Sequence, residues 1–568
     1  MKIEMNRISK KVKLTGAGIL IIVISLGFVS FNESRDFKLV KNIEVFSNLF
    51  RELNYFYVDN PDPEKMIQTG IDAMLKTLDP YTVFIPESEL ENFNFVTTGQ
   101  YGGVGSLIRP SGDYITISEV YKGFPADLAG LKAGDQIIEI DNKSIKGASS
   151  TEVSEMMKGA PDSDVLITVR RFNVDEPIIK TITRKEVSIP SVPYYGLIDD
   201  KTGYIRLSNF TQGASEEVKS AFLELKSKYK AEAIILDLRG NPGGLLIEAV
   251  NITNLFVDKG QEIVSTRGKI KDYDHKYLAP NQPVDPKISL AVLVDRGSAS
   301  ASEIIAGAVQ DLDRGVILGE RTYGKGLVQT TRPLGYNNQL KVTTAKYYIP
   351  SGRCIQALDY ANRNEDGSVG HVPDSLITEF KTQHGRVVRD GGGIVPDIDV
   401  SPGDASLLTA NLYAKYIFFD YATKYASLHE SIPSIEDFKF TDGDFEDFKT
   451  FVKEKKFSYE TRTERALQNL IRETKRDNKY EDYAADFQQL EDKLSHNLDK
   501  DIDHNKEEIE HFISSEIIGR YYYQAGSIKS TLSWDEDVKA AVEILSNTDE
   551  YLTILNIEQP AEIFANSK

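Results

Sequence analysis

Two short runs in this chain carry side chains suited to chemistry: a serine-rich turn after an apolar strand, and a lysine set between two glycines. Ile288 to Val294 is nearly all apolar and rich in β-branched residues, as a strand buried on both faces should be. Asp295-Arg296-Gly297 breaks it, and Ser302 to Gln310 then repeats Ile304, Ile305, Ala308 and Val309 at helical spacing. Small residues (Ser298, Ala299, Ser300, Ala301) fill the turn between them. A serine there is exposed, and an oxyanion formed on it would face backbone N–H groups at a helix N-terminus. The alternative is that Ser298 or Ser302 simply caps the helix.

The second run follows another short apolar strand, Val316 to Leu318, as the loop Thr322-Tyr323-Gly324-Lys325-Gly326. A free lysine, with a pKa of about 10.4, is neutral in roughly four molecules in ten thousand at pH 7. Desolvation by apolar neighbours would have to bring that pKa to about 7–8 for the amine to act as a base. Gln329 shares a strand face with Lys325 and Leu327 and could hold the neutral amine. A phosphate loop is the competing reading of GKG, but Leu327 stands where such a loop needs Ser or Thr.

SASASE, then QD, then YGKGLVQ at this spacing resembles the carboxyl-terminal processing peptidases, tail-specific, PDZ-containing serine proteases with a Ser/Lys dyad. The resemblance covers roughly residues 38 to 400. It implies Ser300 as nucleophile, Lys325 as base and Gln329 as their support. It also maps an aspartate onto Asp311. Eleven residues at ~1.5 Å of helical rise put Asp311 about 16 Å from Ser300, where a structural role at the helix C-terminus reads equally well.

The 568 residues are enough for three or four domains. A formal charge of −19 argues against nucleic acid, whose backbone it would repel. Seven histidines without HExxH or paired Cys/His spacing give no support for a metal, and no cofactor is expected. Lys2, Arg7, Lys10, Lys11 and Lys13 precede a segment from Leu14 to Phe31 without a charge. It is a signal peptide or, the preferred reading, an uncleaved inner-membrane anchor, with the remainder on the extracytoplasmic (periplasmic) side. The one cysteine, Cys354, forms no intrachain disulfide.

These signals divide the chain into five parts: residues 1–34, an anchor or signal segment; 35–97, helical; 98–187, a PDZ domain; 188–400, the protease core; and 401–568, helical again. The fold class is multidomain α/β (α+β), and the resemblance implies a crotonase/Clp-like core. In the first helical part, Val40, Ile43, Phe46, Leu49 and Phe50 repeat at helical spacing, and LDPYT (78–82) ends the second helix. Tyr101, Gly102, Gly103, Val104 and Gly105 form a glycine-rich turn, and FPADLAGLKAGDQIIEIDNKSI resembles the PDZ signature. Freed N–H groups in such a turn suit a peptide's C-terminal carboxylate.

In the core, Ala233 to Leu238 is a buried strand followed by Arg239-Gly240-Asn241-Pro242-Gly243-Gly244, a second strand–turn–helix unit that fits a mostly parallel sheet. The resemblance makes Gly243 or Gly244 one oxyanion donor and the Ala301 N–H the other. Gly240 stands where relatives often carry asparagine. PSGRCIQ matches a family element, and the polar 359–390 segment reads as a surface loop near the active site. The last part is helical and charged and carries no chemistry. Its position suits an interaction role, with a second copy or an adaptor as partner.

The reading is an extracytoplasmic endopeptidase acting on proteins with free C-termini. A trypsin-like PDZ protease would need a GDSGG-like or GNSGG-like nucleophile turn that is not here. A catalytically degenerate relative, kept as a PDZ peptide-binding scaffold, is the non-enzymatic alternative.

Overall fold

The computed structural model describes residues 35–364, 366–400 and 405–557, in two compact units that divide between Thr77 and Leu78. The expected Leu14–Phe31 anchor lies outside the described residues. Among those described, no helix is long and apolar enough to cross a membrane.

The first unit holds α1 (Arg35–Phe56) and α2 (Pro63–Leu75). Asp62 caps α2, its carboxylate accepting from the N–H of Glu64 and Lys65, and Pro63 sits at the first turn, where its missing N–H costs nothing. The apolar repeat of α1 is exposed: Val40, Ile43, Phe46 and Leu49 all face out. The helical stretch expected over 35–97 thus ends as a unit at Thr77. Residues 78–98 pack with the second unit, as the LDPYT turn, strand β1 (Val83–Ile85) and helix α3 (Leu90–Thr98).

The PDZ domain follows. Strand β2 (Gln100–Gly103) enters it. β3 (Ser106–Ser111), β4 (Tyr114–Val120), β5 (Gln136–Ile140), β6 (Lys143–Ser144), β7 (Asp164–Arg170) and β8 (Ile178–Thr183) form one antiparallel sheet. β9 (Lys185–Ser188) then pairs with β2 and closes the domain. β8, paired with β7, is the edge strand of that sheet. The short helix α4 (Pro125–Leu128) and α5 (Ser150–Met157) cover the sheet, burying Ala126, Val153 and Met157 against Ile117, Ile137 and Val169.

The protease core is built on a six-stranded sheet of β10 (Tyr194–Leu197), β11 (Thr202–Arg206), β12 (Ala233–Asp237), β15 (Ser289–Val294), β16 (Val316–Gly319) and β21 (Ile398–Asp399), in that order. It is parallel from β11 onward, and only β10 runs antiparallel. The helices α6 (Ala214–Ser227), α7 (Leu246–Thr253) and α8 (Ala301–Asp311) cover one face. On the other face lie Val538, Ala541, Leu545 and Tyr551, from helices Glu536–Ser546 and Thr548–Ile554. A sheet covered on both faces explains why β12, β15 and β16 read as unbroken apolar runs. A second, antiparallel sheet joins β1, β13 (Glu262–Gly268), β14 (His275–Leu278), β17 (Leu327–Gly335) and β18 (Asn338–Tyr348). The 359–390 segment contains a small hairpin, β19 (Glu379–Lys381) with β20 (Val387–Arg389).

In the C-terminal region, helix Ile417–Leu428 packs against Lys506–Thr531, which kinks at Tyr523. At that kink the Tyr523 hydroxyl donates to Asp127 of the PDZ domain at 2.8 Å, and Arg109 pairs with Asp420 at 3.3 Å. This region, expected to carry no chemistry, therefore touches the PDZ domain and also roofs the catalytic sheet.

Candidate active site

β15 leaves the sheet at Val294, and the Asp295 carboxylate shapes the turn that follows. Its Oδ1 accepts from Gly297 N–H at 2.9 Å, Ser298 N–H at 3.0 Å and, across the gap, Gly240 N–H at 2.7 Å. Neither Ser298 nor Ser302 caps α8. Both are fully buried stitches: Ser298 Oγ donates to the Leu238 carbonyl at 2.8 Å and Ser302 Oγ to the Asn241 carbonyl at 2.9 Å. They tie the serine turn to the 238–244 turn. Ser300 occupies the N-cap position, with φ 55° and ψ −109°. A non-glycine residue in such a region costs about 1–3 kcal/mol, a strain that persists only when the surroundings over-determine it.

The turn beside it is equally constrained. Asn241 Nδ2 donates to the Leu207 carbonyl at 2.8 Å, and its Oδ1 accepts from Gly243 N–H at 2.9 Å. Gly243 has φ 97°, and a Cβ there would lie 2.7 Å from the Ala299 carbonyl oxygen and 2.9 Å from Ala301 N. Only glycine fits. Of the expected oxyanion donors, Gly243 lies against Ser300 and Ala301 while Gly244 packs on Phe210, and Asn241 already engages the Gly243 N–H, so Gly243 supplies close approach. Gly244 and Ala301 keep N–H groups free of such a partner among the described residues.

Beneath this turn, Asp237 is fully buried and accepts from Tyr204 at 2.7 Å and from both Arg206 and Arg239. Burial alone would raise its pKa, but the two guanidinium groups overcome that and hold it well below the usual carboxylate range. Arg239 also reaches Asp535 at 2.8 Å and Asp537 at 2.7 Å, which anchors the turn to the C-terminal helices.

One buried carboxylate joins the serine to the lysine. Glu303, fully buried in the first turn of α8, accepts from Thr322 Oγ1 at 2.6 Å and Gly324 N–H at 2.7 Å on Oε1. Its Oε2 accepts from Ser300 N–H at 2.8 Å and Lys325 N–H at 2.9 Å. The Tyr347 hydroxyl adds a second link, lying against the carbonyl oxygens of both Lys325 and Ser300.

Lys325 is half-buried, and its Nζ rests 4.3 Å from the centroid of the Tyr81 ring. Burial brings its pKa down to about 8; the like charge of Lys341 helps, while Glu303 and Asp79 oppose. The expected support residue Gln329 donates from Nε2 to Thr343 Oγ1 at 3.2 Å, and Thr343 N–H donates to Thr82 Oγ1 at 3.2 Å. Asp311 ends α8, at the opposite end from Ser300. There it pairs with Arg353 at 2.9 Å and accepts the Ser351 N–H at 2.9 Å.

In the PDZ domain, a cavity of about 150 Å³ lies between β3 and α5, lined by Val104, Ile108, Tyr121, Met157, Tyr101 and, from α3, Phe95. Gly105 has φ 77°, and a Cβ there would fall 2.5 Å from Phe124. Tyr101, Gly102 and Gly103, expected in a turn, instead lie in β2 and pair with β9, and the chain after them closes against α4 only with glycine at 105. Burial raises the Tyr101 hydroxyl pKa, against the pull of the Gly105 and Ser106 N–H groups beside it.

A peptide groove coupled to an α/β core whose buried central strand ends on a strained serine defines a PDZ-containing serine protease. The profile for Peptidase family S41 matches residues 201–361, a PDZ domain profile residues 116–171, and the profile "Probable PDZ-protease, C-terminal helical domain" residues 408–545. The chain is 36% identical over 362 residues to a carboxy-terminal-processing protease of Bartonella bacilliformis, covering 63% of this chain and 80% of that protein. It is 35% identical over 316 residues to a "Probable CtpA-like serine protease" of Staphylococcus aureus, covering 55% of this chain and 62% of that one. Among solved structures, a photosystem II D1 C-terminal processing protease shares 29% identity over 63% of this chain and 93% of its own, at a TM-score of 0.34. The chain belongs to the carboxy-terminal-processing proteases of peptidase family S41 and is a serine-type enzyme of that class.

Sequence reasoning missed Glu303, Tyr347 and Tyr81. For Glu303 a signal was present: Ser300-x-x-Glu303 has capping-box spacing. Tyr81 and Tyr347 reach the site from strands and turns distant in sequence, without a local mark.

Proposed function

We propose that this protease is an extracytoplasmic endopeptidase that captures protein C-termini in its PDZ groove and cuts near them with a Ser300/Lys325 dyad. The observation that carries the reading is the shared carboxylate of Glu303, which fixes the backbones of both residues in one frame. At a pKa of about 8 the Lys325 amine is neutral in roughly one molecule in ten at pH 7, about two hundredfold more than a free lysine.

The neutral amine takes the Ser300 Oγ proton as Oγ bonds the scissile carbonyl carbon, and Gly244 and Ala301 N–H receive the oxyanion. The ammonium then protonates the leaving amine nitrogen. Water, deprotonated by the same lysine, releases the acyl group. Gln329 supports the amine, and Asp311 is structural. The charged flank before Leu14–Phe31 supports anchoring in the cell membrane with the catalytic unit outside. The partners are protein or peptide tails with a free carboxylate, and a homodimer or adaptor contact suits the helical regions.

The test compares peptides with an apolar C-terminal residue as free acid and as amide, on wild type and Ser300→Ala. Wild type should cleave the acid form at lower KM, and Ser300→Ala should bind the acid form more tightly while cutting neither. Equal binding of acid and amide would remove tail capture from the account.

A further inference from the structure

We infer that Tyr81 is a positioning residue of the Ser300/Lys325 dyad: its ring face is the resting seat of the Lys325 side chain, which must leave that face to serve Ser300. This rests on the dyad reading given above. Lys325 Nζ stands 4.3 Å from the ring centroid, and no hydrogen bond joins it to Ser300 Oγ among the described residues. A cation over an aromatic face is held by the ring quadrupole, and more strongly where water is excluded.

The ring is built into place. Asp79 Oδ1 accepts from the N–H of Tyr81 at 2.9 Å and Thr82 at 2.8 Å, and its Oδ2 from Thr82 Oγ1 at 3.1 Å. Tyr360 meets the ring edge-on at 6.1 Å, and the Tyr323 hydroxyl lies 3.5 Å from that of Tyr81. β1, which continues from this turn, pairs with β18, and Thr343 of β18 contacts both Thr82 and Gln329. Thr343 thus ties the turn to the glutamine, and Tyr347 of the same strand holds the Lys325 carbonyl, although 244 residues separate Tyr81 from Lys325.

The charged groups facing Lys325 are Lys341 from β18, Glu303 from α8 and Asp79 from the turn. Burial raises the Tyr81 and Tyr347 hydroxyls far enough to keep them neutral through the working range. Lys341 is itself lowered by burial, so Lys341→Gln serves as the control that identifies which amine titrates.

Because the ring face favours the ammonium while the ring's bulk excludes water, two substitutions should act with opposite sign. Tyr81→Leu keeps bulk and loses the quadrupole, so the acid limb of kcat/KM should move down by about half to one pH unit. Tyr81→Ala admits water and should move the limb up. Tyr81→Phe should leave it within a few tenths of a unit. Phenylalanines of increasing fluorination at position 81 keep the shape and weaken the face, so the limb should fall stepwise even if the leucine variant folds poorly. Lys341→Gln should keep a single limb and raise it.

The series includes Lys325→Ala, assayed over the same pH range on the folded full chain. No turnover in Lys325→Ala, with opposed shifts in Tyr81→Leu and Tyr81→Ala, is the expected result. An inactive Lys325→Ala beside a fluorinated series whose limbs coincide with wild type overturns the seat and leaves the dyad standing. Turnover in Lys325→Ala with an unchanged limb overturns the dyad itself.

Discussion

Ser300 and Lys325 give their backbone N–H groups to the same oxygen, Glu303 Oε2, at 2.8 Å and 2.9 Å. The strained serine turn follows β15 and the lysine loop follows its parallel neighbour β16, and this atom sets their spacing. The arrangement makes Glu303 a positioning residue, since its carboxylate is spent on four donors.

Glu303→Gln should separate the two backbones, because an amide offers one acceptor oxygen where the carboxylate uses two, and its NH2 group meets N–H donors head on. With misplacement of about 1 Å costing ~100-fold in rate, kcat should fall by about that factor while KM changes little. Unpairing buried donors should also cost about 1–3 kcal/mol of stability. Steady-state kinetics with a urea unfolding curve measures both, and a wild-type kcat would show that the clamp has no part in alignment.

The lowered Lys325 pKa makes a two-part prediction. Activity requires the neutral amine, so kcat/KM should rise with pH through about 8. For stability the sign is the same: between about 8 and 10.5 the unfolded chain keeps a proton that the folded chain has lost, so stability rises with pH across that window. At pH 7 the full shift is a cost, on the order of 3 kcal/mol. Lys325→Met should therefore be inactive and more stable than wild type at pH 7, with the gain shrinking above pH 8. Thermal melts at pH 7 and 10 check it.

Asp311→Asn should act on stability. Arg353 is buried beside Asp311, which is the acidic partner nearest to it, and stripping one partner from a buried pair costs about 3–5 kcal/mol. Turnover per folded molecule at low temperature should stay near wild type. A large loss of kcat at unchanged stability would instead give Asp311 a catalytic part.

Ending the chain after Trp534 should leave the catalytic sheet without its second cover. Ala291, Leu293, Val316 and Leu318 would lose Val538, Ala541 and Leu545, and Arg239 would lose Asp535 and Asp537. Burial at about 25 cal/mol per Å² of apolar surface, or about 1.5–3 kcal/mol per large side chain, makes that loss comparable with the usual margin of stability. The truncated chain should sediment as aggregate, and a soluble, active monomer would refute the roofing role.

What the sequence reveals depends on distance along the chain. β12, β15 and β16 were legible because a doubly covered parallel strand writes its burial as an apolar run, and α8 because its Ile304, Ile305, Ala308 and Val309 repeat is local. β1 fell inside the 35–97 stretch read as helical, since three residues, Val83-Phe84-Ile85, show no period and become a strand only by pairing with β18. The α1 repeat signalled a helix correctly, but periodicity alone does not say whether the apolar face is covered. The seat of Lys325 on Tyr81 and the grip of Arg239 on Asp535 join residues more than 240 apart. Such contacts leave no trace in either segment.

The most direct test of the dyad is turnover of a folded Lys325→Ala variant from pH 6 to 10, beside wild type and Ser300→Ala, on a peptide ending in an apolar residue with a free carboxylate. The account predicts no cleavage above the Ser300→Ala background at any pH, with far-UV circular dichroism and PDZ-tail binding unchanged. Cleavage by Lys325→Ala at more than a tenth of the wild-type rate, in protein shown to be folded, would contradict it.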